Sequence, residues 1–310
     1  MSDQTSIFRA IFRTAFLHPK YWPTWLVFAL ASAIVRLPYQ IQVHIGAGLG
    51  RLAYTFAAKR KHIAKVNLQL CFPDFSEQEI TSLLERTFRS TGIGLIETAN
   101  SWLKKPSSLV DRFDIIGLEN LKSAMANKSG VLLVGMHSTT LDLCGAVLSN
   151  HVGFDVMYRQ NKNLLIESIM TKSREKNYPH AIQRNDVRTV LKNLKNGHAV
   201  WYGPDQDYGR KHSVFVPFFN IETATITATA RFARISGAQV ICFTHYRRDD
   251  DKGYVIELSK PLENYPSGDE IVDATRINIR IEDAILKAPD QYWWIHRRFK
   301  TRPIDEKRPY

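Results

Sequence analysis

The sequence predicts an α/β protein with a largely parallel central sheet flanked by helices and a membrane-associated helical segment ahead of it. Three observations carry this expectation. Strand-like and helix-like segments alternate from residue 113 onward. The run G-V-L-L-V-G-M at 130–136 is apolar without interruption, as a strand covered by helices on both faces requires. Residues 4–73 hold no acidic residue but nine basic ones, interleaved with long apolar stretches.

The elements follow in order. Residues 7–17 place Arg9 and Arg13 four apart on one helical face, with Phe8, Ile11, Phe12, Ala15 and Phe16 around the rest, the pattern of an interfacial amphipathic helix. After His18-Pro19 comes an uncharged run over 21–35 that opens on Trp22 and Trp25. As a helix it covers only about 22 Å, short of a hydrocarbon core of roughly 30 Å. It reads as lying on a membrane, as spanning one if Arg36 snorkels, or as a buried core helix. The start lacks the layout of a cleaved signal peptide. We therefore expect an anchor over 1–45, a helical lead-in over 46–110 and an α/β core over 111–310.

Within the lead-in, Pro73 and Asp74 punctuate the chain, and Ser76 with Glu79 forms a capping box that starts a new helix. The alternation then predicts strands at 113–116, 130–136, 154–158, 199–202, 214–218, 240–244 and 253–259. Helices are predicted at 119–126, 141–148, 164–176, 187–194, 225–235 and 270–286.

Composition limits the function classes. With 44% apolar and 23% charged residues and a mean hydropathy of -0.24, neither global disorder nor a polytopic membrane protein fits. Cys71, Cys144 and Cys242 form no C-x-x-C pair, which argues against a disulfide framework or a cysteine-rich zinc site. Forty-two basic against 30 acidic residues give a charge of +12, which suits polyanionic partners: nucleic acid, anionic lipid or an acidic carrier protein.

Ligands of open α/β sheets bind where strands end and helices begin. After the 130–136 strand comes His137-Ser-Thr-Thr-Leu-Asp142, and after A-V-W-Y comes Gly203-Pro-Asp205-Gln-Asp207-Tyr-Gly209. A carboxylate that accepts the Nδ1 proton of a histidine leaves Nε2 free to take a proton from an alcohol. Without a G-x-S-x-G elbow, His137 would act on a substrate hydroxyl directly, as in a transferase. On spacing alone, His137 and Asp142 read equally as a satisfied histidine and a helix cap, and Asp205 and Asp207 as turn residues. Arg297, Arg298, Lys300 and Arg302, beside Trp293, Trp294 and Phe299, read as a solvated basic tail, a nucleic-acid stripe or a contact for lipid phosphates with tryptophans at headgroup depth. No cluster with metal-ligand spacing appears in the sequence.

The His-x4-Asp unit after a buried strand resembles the glycerolipid acyltransferase superfamily. The longer strings Tyr158-Arg159-Gln-Asn161, W-Y-G-P-D-Q-D-Y-G at 201–209, V-F-V-P-F-F at 214–219 and Q-Y-W-W-I-H-R-R-F-K-T-R-P at 291–303 resemble the late acyltransferases of lipid A biosynthesis, nearest the lauroyl type. The resemblance covers nearly the whole chain. It implies transfer of a fatty acyl chain from an acyl carrier protein thioester to a hydroxyl on a 3-hydroxyacyl chain of a Kdo-bearing lipid A precursor, at the cytoplasmic side of the bacterial inner membrane. It also implies His137 as general base with Asp142 orienting it, and Arg159, Asn161, Asp205 and Asp207 as substrate-binding candidates. Many lipid A enzymes carry Glu where this chain has Asp142, so acylation of a glycerolipid such as lysophosphatidic acid is the alternative within the class. A basic membrane- or nucleic-acid-binding module without catalysis is the alternative outside it. The reaction calls for no cofactor and no metal, since alcoholysis of a thioester needs only a base and an oxyanion stabiliser. The expected partners are acyl carrier protein, the lipid A precursor and an anionic membrane surface, with no nucleic acid.

Overall fold

Among the described residues there are nine strands: β1 (Phe113–Ile116), β2 (Val131–Gly135), β3 (Asp155–Tyr158), β4 (Ala181–Gln183), β5 (Ala199–Tyr202), β6 (Ser213–Phe218), β7 (Ile221–Ile226), β8 (Gln239–Arg247) and β9 (Tyr254–Leu258). Seven of them form one sheet in the order β1-β9-β8-β2-β5-β3-β4. Every neighbouring pair is parallel except β8 with β9, so the largely parallel sheet is found as expected. The structure is a computed structural model that describes residues 14–310.

Ten α-helices surround this frame among the described residues: α1 (Trp22–Ile34), α2 (Tyr39–Phe56), α3 (Ala58–Cys71), α4 (Glu77–Leu103), α5 (Leu118–Ala126), α6 (Leu141–His151), α7 (Leu164–Asn177), α8 (Val187–Lys195), α9 (Ala228–Ser236) and α10 (Glu270–Lys287). The period of two in the strands sorts side chains between two cores. Leu132, Val134, Val200, Tyr202 and Val240 point into one core with α4, α9 and α10. Val131, Leu133, Ala199, Trp201 and Ile241 point into the other with α5 and α6. All five residues of β2 are buried, as its unbroken apolar run predicts.

The capping box forms: the Ser76 hydroxyl accepts from the Glu79 amide, and the Glu79 carboxylate accepts from the Ser76 amide at 2.7 Å. The 27-residue α4 that it starts crosses α2 at glycines. A Cβ on Gly50 would lie 2.2 Å from the Phe88 carbonyl, and one on Gly92 would lie 2.2 Å from the Gly46 carbonyl, so side chains there would force the two helices apart.

Two strands escape the sequence pattern. β4 has three residues and pairs only with β3, too short for an alternation to register. β7 reads I-E-T-A-T-I and pairs antiparallel with β6 through a tight turn at Phe219 and Asn220, both with positive φ, instead of an Asn-Gly signal. The helix predicted at 225–235 begins instead at Ala228, because Thr225 and Ile226 still belong to β7.

The amphipathic helix predicted over 7–17 lies mostly outside the described residues; Thr14–Leu17 is a short 3-10 turn. No helix among the described residues is long and apolar enough to cross a membrane. The apolar run instead gives the 13-residue α1, which buries Phe28 in a cluster with Val35, Ala99, Leu103, Leu165 and Ile169. Its other residues Trp22, Leu26, Val27 and Leu30 are exposed. The core-helix expectation thus holds for one side of this helix, and the other side is an exposed apolar face.

Candidate active site

β2 and β5 are parallel neighbours with Val134 opposite Tyr202. Three residues past each of these positions stand His137 and Asp205, so strand register alone brings the two side by side beyond the carboxyl ends of the strands. The Asp205 side chain grips its neighbour twice. One oxygen lies 2.6 Å from His137 Nδ1, and the other accepts the His137 backbone N–H at 2.9 Å. Asp205 is buried while the His137 side chain keeps 30% exposure, so the ring reaches solvent from a fixed base.

Electrostatics follow from this geometry. Burial alone would lower the His137 pKa, but the charge and hydrogen bond of Asp205, with a contribution from Asp142, raise it above the usual histidine value. Burial alone would raise that of Asp205, but His137 and, further off, Arg298 hold it below the usual carboxylate range. With Nδ1 committed to Asp205, Nε2 is the ring atom left for a substrate.

The expectation that Asp142 accepts the Nδ1 proton is therefore corrected: Asp205 does. Asp142 sits in the first turn of α6, where the Thr98 hydroxyl donates to it at 3.4 Å, and it acts on His137 through space. The strand-to-helix turn separates the two, whereas the β2–β5 register puts a carboxylate directly beside the ring.

The neighbours fix this arrangement. The Trp201 ring stands edge-on to the imidazole at 5.7 Å and 77°. A Cβ on Gly203 would come within 2.7 Å of His137 Cε1, so only glycine lets the 203–205 turn pass the ring. Behind the loop, Ser138 and Thr140 bring their hydroxyls to Nδ1 of the buried His245, at 3.1 and 2.8 Å. Burial first, and then the charge of His137, push the His245 pKa down to about 3, so this second ring stays neutral. The segment after α10 closes the other side. Trp293 N–H donates to the His137 carbonyl at 3.1 Å, Tyr292 hydroxyl to the Asp205 carbonyl at 3.2 Å, and Thr139 N–H to the Gln291 carbonyl at 2.9 Å.

The remaining candidates divide. Asp207 accepts from the Gly209 and Thr301 amides at 2.8 and 2.6 Å, which fastens the tail to the β5 turn. Asn161 is a turn residue: its amide N–H donates to Glu167 at 2.7 Å and its side-chain oxygen accepts the Asn163 N–H at 2.9 Å. The Asn161 contacts are local, whereas those of Asp207 join two segments far apart in the chain. Arg159 follows β3 on the same sheet edge as His137. It is exposed and lines an open cavity of about 190 Å³ with Tyr158, Gln183 and Arg184. The readings of the basic tail as a solvated stripe, a nucleic-acid stripe or a headgroup belt are corrected for its central residues. Trp294, Arg298 and Phe299 are buried, and the Arg298 guanidinium donates to the Ala224 carbonyl at 2.8 Å and lies over the Phe218 ring.

Two further cavities open beside Trp201 and Tyr202 of β5, neither of them walled by His137 or Asp205 itself. A narrow one of about 40 Å³ runs between Trp201, Asp142, Leu141, Phe154 and Phe243. A wide one of about 500 Å³ is lined mainly by apolar side chains, among them Met157, Leu191, Tyr202, Ile226 and Phe232, with Arg184 and Arg231 also on its wall. Its size is that of an ordinary ligand pocket.

A histidine with Nδ1 held and Nε2 left over, and a largely apolar cavity with arginines on its wall nearby, suit an enzyme that moves an acyl chain onto an alcohol, and the protein is an acyltransferase. The sequence profile of the bacterial lipid A biosynthesis acyltransferases matches residues 9–301, and the chain belongs to that family. It is 41% identical over 300 residues to the lipid A biosynthesis palmitoleoyltransferase of Escherichia coli strain K12, covering 96% of this chain and 98% of that one. It is also 41% identical over 293 residues to the lipid A biosynthesis lauroyltransferase of the same strain, covering 94% and 96%. A lipid A biosynthesis acyltransferase of Haemophilus influenzae is 40% identical over 303 residues, with 96% of each chain covered.

Proposed function

We propose that this lipid A acyltransferase moves a lauroyl-type chain from an acyl carrier protein thioester to the hydroxyl of a 3-hydroxyacyl chain on a Kdo-bearing lipid A precursor, at the cytoplasmic side of the inner membrane. The observation that carries the reading is the Asp205 grip on His137 Nδ1, which leaves Nε2 as the base. In the reaction Nε2 takes the acceptor hydroxyl proton as its oxygen attacks the thioester carbonyl. The C–S bond breaks on collapse of the tetrahedral intermediate, and the imidazolium returns the proton to the departing thiolate. Asp205 holds the ring and stabilises the imidazolium, Asp142 adds a second negative charge nearby, and Arg159 and Arg184 serve the phosphates or sugar carboxylates of the acceptor. Hydrocarbon of the substrates fits the wide cavity.

Membrane docking is supported by the exposed Trp22, Leu26, Leu30, Ile41, Leu52 and Phe56 of α1 and α2, within the stretch that holds nine basic residues and no acidic one. Relatives named for lauroyl and for palmitoleoyl transfer are equally similar, so overall identity does not choose the donor. Purified protein given lauroyl and palmitoleoyl carrier protein in competition, with a Kdo-bearing lipid A precursor, should yield mainly a product heavier by one lauroyl group in mass spectrometry. A palmitoleoyl product overturns the donor; acylation of lysophosphatidic acid in place of the precursor overturns the acceptor.

A further inference from the structure

β3, β4 and β5 run parallel, so their first residues share the sheet edge opposite His137. Asp155 opens β3, His180 immediately precedes β4 and His198 immediately precedes β5, and β3 lies between the other two. Both imidazoles turn Nδ1 toward the one carboxylate, His180 at 2.8 Å from one oxygen and His198 at 3.0 Å from the other. The two rings stack at 5.6 Å between centroids, 29° from parallel. We propose that Asp155, His180 and His198 form a binding site for a divalent first-row transition ion, with zinc as the leading candidate.

The donor set of two imidazoles and one carboxylate suits borderline ions and not magnesium or calcium. For bonds of about 2.0–2.1 Å, adjacent ligand atoms lie about 2.9 Å apart at right angles and about 3.4 Å apart in a tetrahedron. Each ring lies at 2.8–3.0 Å from its own oxygen of the carboxylate and all the ligand atoms lie within 4.8 Å of one another, so modest side-chain rotations would bring them to either spacing around one ion. The carboxylate is 1% exposed while the His180 and His198 side chains keep 55% and 38%, so an ion enters from solvent and meets a fixed anion at the floor. Asn193 Nδ2 donates to the same carboxylate at 2.7 Å, an outer contact of the kind that orients metal-ligating groups. When a neutral ring binds through Nδ1, its proton moves to Nε2, and the half-exposed rings let water receive it. Three protein ligands leave the remaining positions to water. The ion would tie the three-residue edge strand β4 to β3 and β5.

The test uses the full chain, purified without a polyhistidine tag, stripped by chelator and titrated with zinc chloride under calorimetry and native mass spectrometry. One ion should bind per chain, with the unfolding temperature rising by several degrees. His180→Gln and His198→Gln should each weaken uptake at least tenfold, Asn193→Ala by about tenfold, and His44→Gln not at all. Hydrogen exchange of the unaltered chain gives a readout that needs no variant: zinc should slow exchange at residues 180–183. The proposal is overturned by no saturable uptake, by undiminished affinity in the doubly substituted His180→Gln, His198→Gln chain, or by zinc binding that leaves exchange at 180–183 unchanged.

Discussion

The sheet carries an aspartate clasped by histidine at each end, and the two clasps differ in what they leave over. At the carboxyl edge, Asp205 takes one ring nitrogen and the backbone N–H of the same residue, so both of its oxygens are spent on a single histidine. At the opposite edge, Asp155 shares its oxygens between two rings and an asparagine amide. The first arrangement fixes one imidazole and leaves its far nitrogen uncommitted on a partly exposed ring. The second holds two rings on one carboxylate through the same ring atom, which suits a static ligand set. Similar residue types thus diverge in function through the number of donors that converge on the acid.

The comparison breaks most sharply at the ring. His137→Ala should abolish measurable transfer, a loss of roughly 10² to 10⁴ or more in turnover, while circular dichroism stays native. A variant with wild-type turnover would remove the general base from the mechanism. Next in size is Asp205→Asn, which can offer its amide N–H to Nδ1 and select the wrong tautomer, with an expected loss of about 10² to 10⁴ in turnover.

Asp142→Asn removes only a through-space charge and should cost about 10 to 10², with Asp142→Glu retaining most activity. Matched assays of the three carboxylate variants decide the order, and a loss at Asp142 larger than at Asp205 would reverse the roles assigned to them. The pH profile sharpens the same point. Because Asp205 raises the His137 pKa, the base is protonated up to a higher pH than an ordinary histidine, so the acid limb of kcat/KM should lie above 6.5. Replacing Asp142 alone should shift that limb only slightly downward.

Stability follows with its own sign. The raised His137 pKa stabilises the fold most below the unfolded value near 6.5, and that contribution fades as pH rises through the folded pKa. The depressed Asp205 pKa stabilises above the ordinary carboxylate range and fades as pH falls through the folded pKa. The smallest effect is expected at the opposite edge: His180→Gln should leave transfer within about twofold of wild type in the standard assay, since distant sites act independently.

Much of this was legible in the sequence where periodicity is long. β2, β5, α7 and α10 emerge close to their predicted bounds because each holds an unbroken apolar run or a complete amphipathic stripe. β4 and β7 did not emerge, being respectively too short and turned by Phe-Asn. The site divides in the same way. His137 stood out as the histidine after a buried strand, and Asp205 as a carboxylate after another, but their partnership depends on β2 and β5 being neighbours, and strand order is a property of the whole sheet. Asp142 looked like the partner because separation along the chain is visible and lateral adjacency is not. His245 lies inside a strand with no local signal at all. The tail misled for a related reason: its arginines and tryptophans have surface composition, yet Arg298 and Trp294 are buried under the β6–β7 hairpin and α3.

That buried tail sets a timetable for the newly made chain. Residues 291–301 supply the hydrogen bonds that fix the His137 carbonyl and the Asp207 turn, and they leave the ribosome after every strand of the sheet. At roughly 5–20 residues per second, the segment that completes the dyad's surroundings follows α1 and α2 by roughly ten seconds to a minute. A nascent chain therefore holds every strand of the sheet before the hydrogen bonds to the His137 carbonyl and the Asp207 turn can form, and catalytic competence waits for residues 291–301.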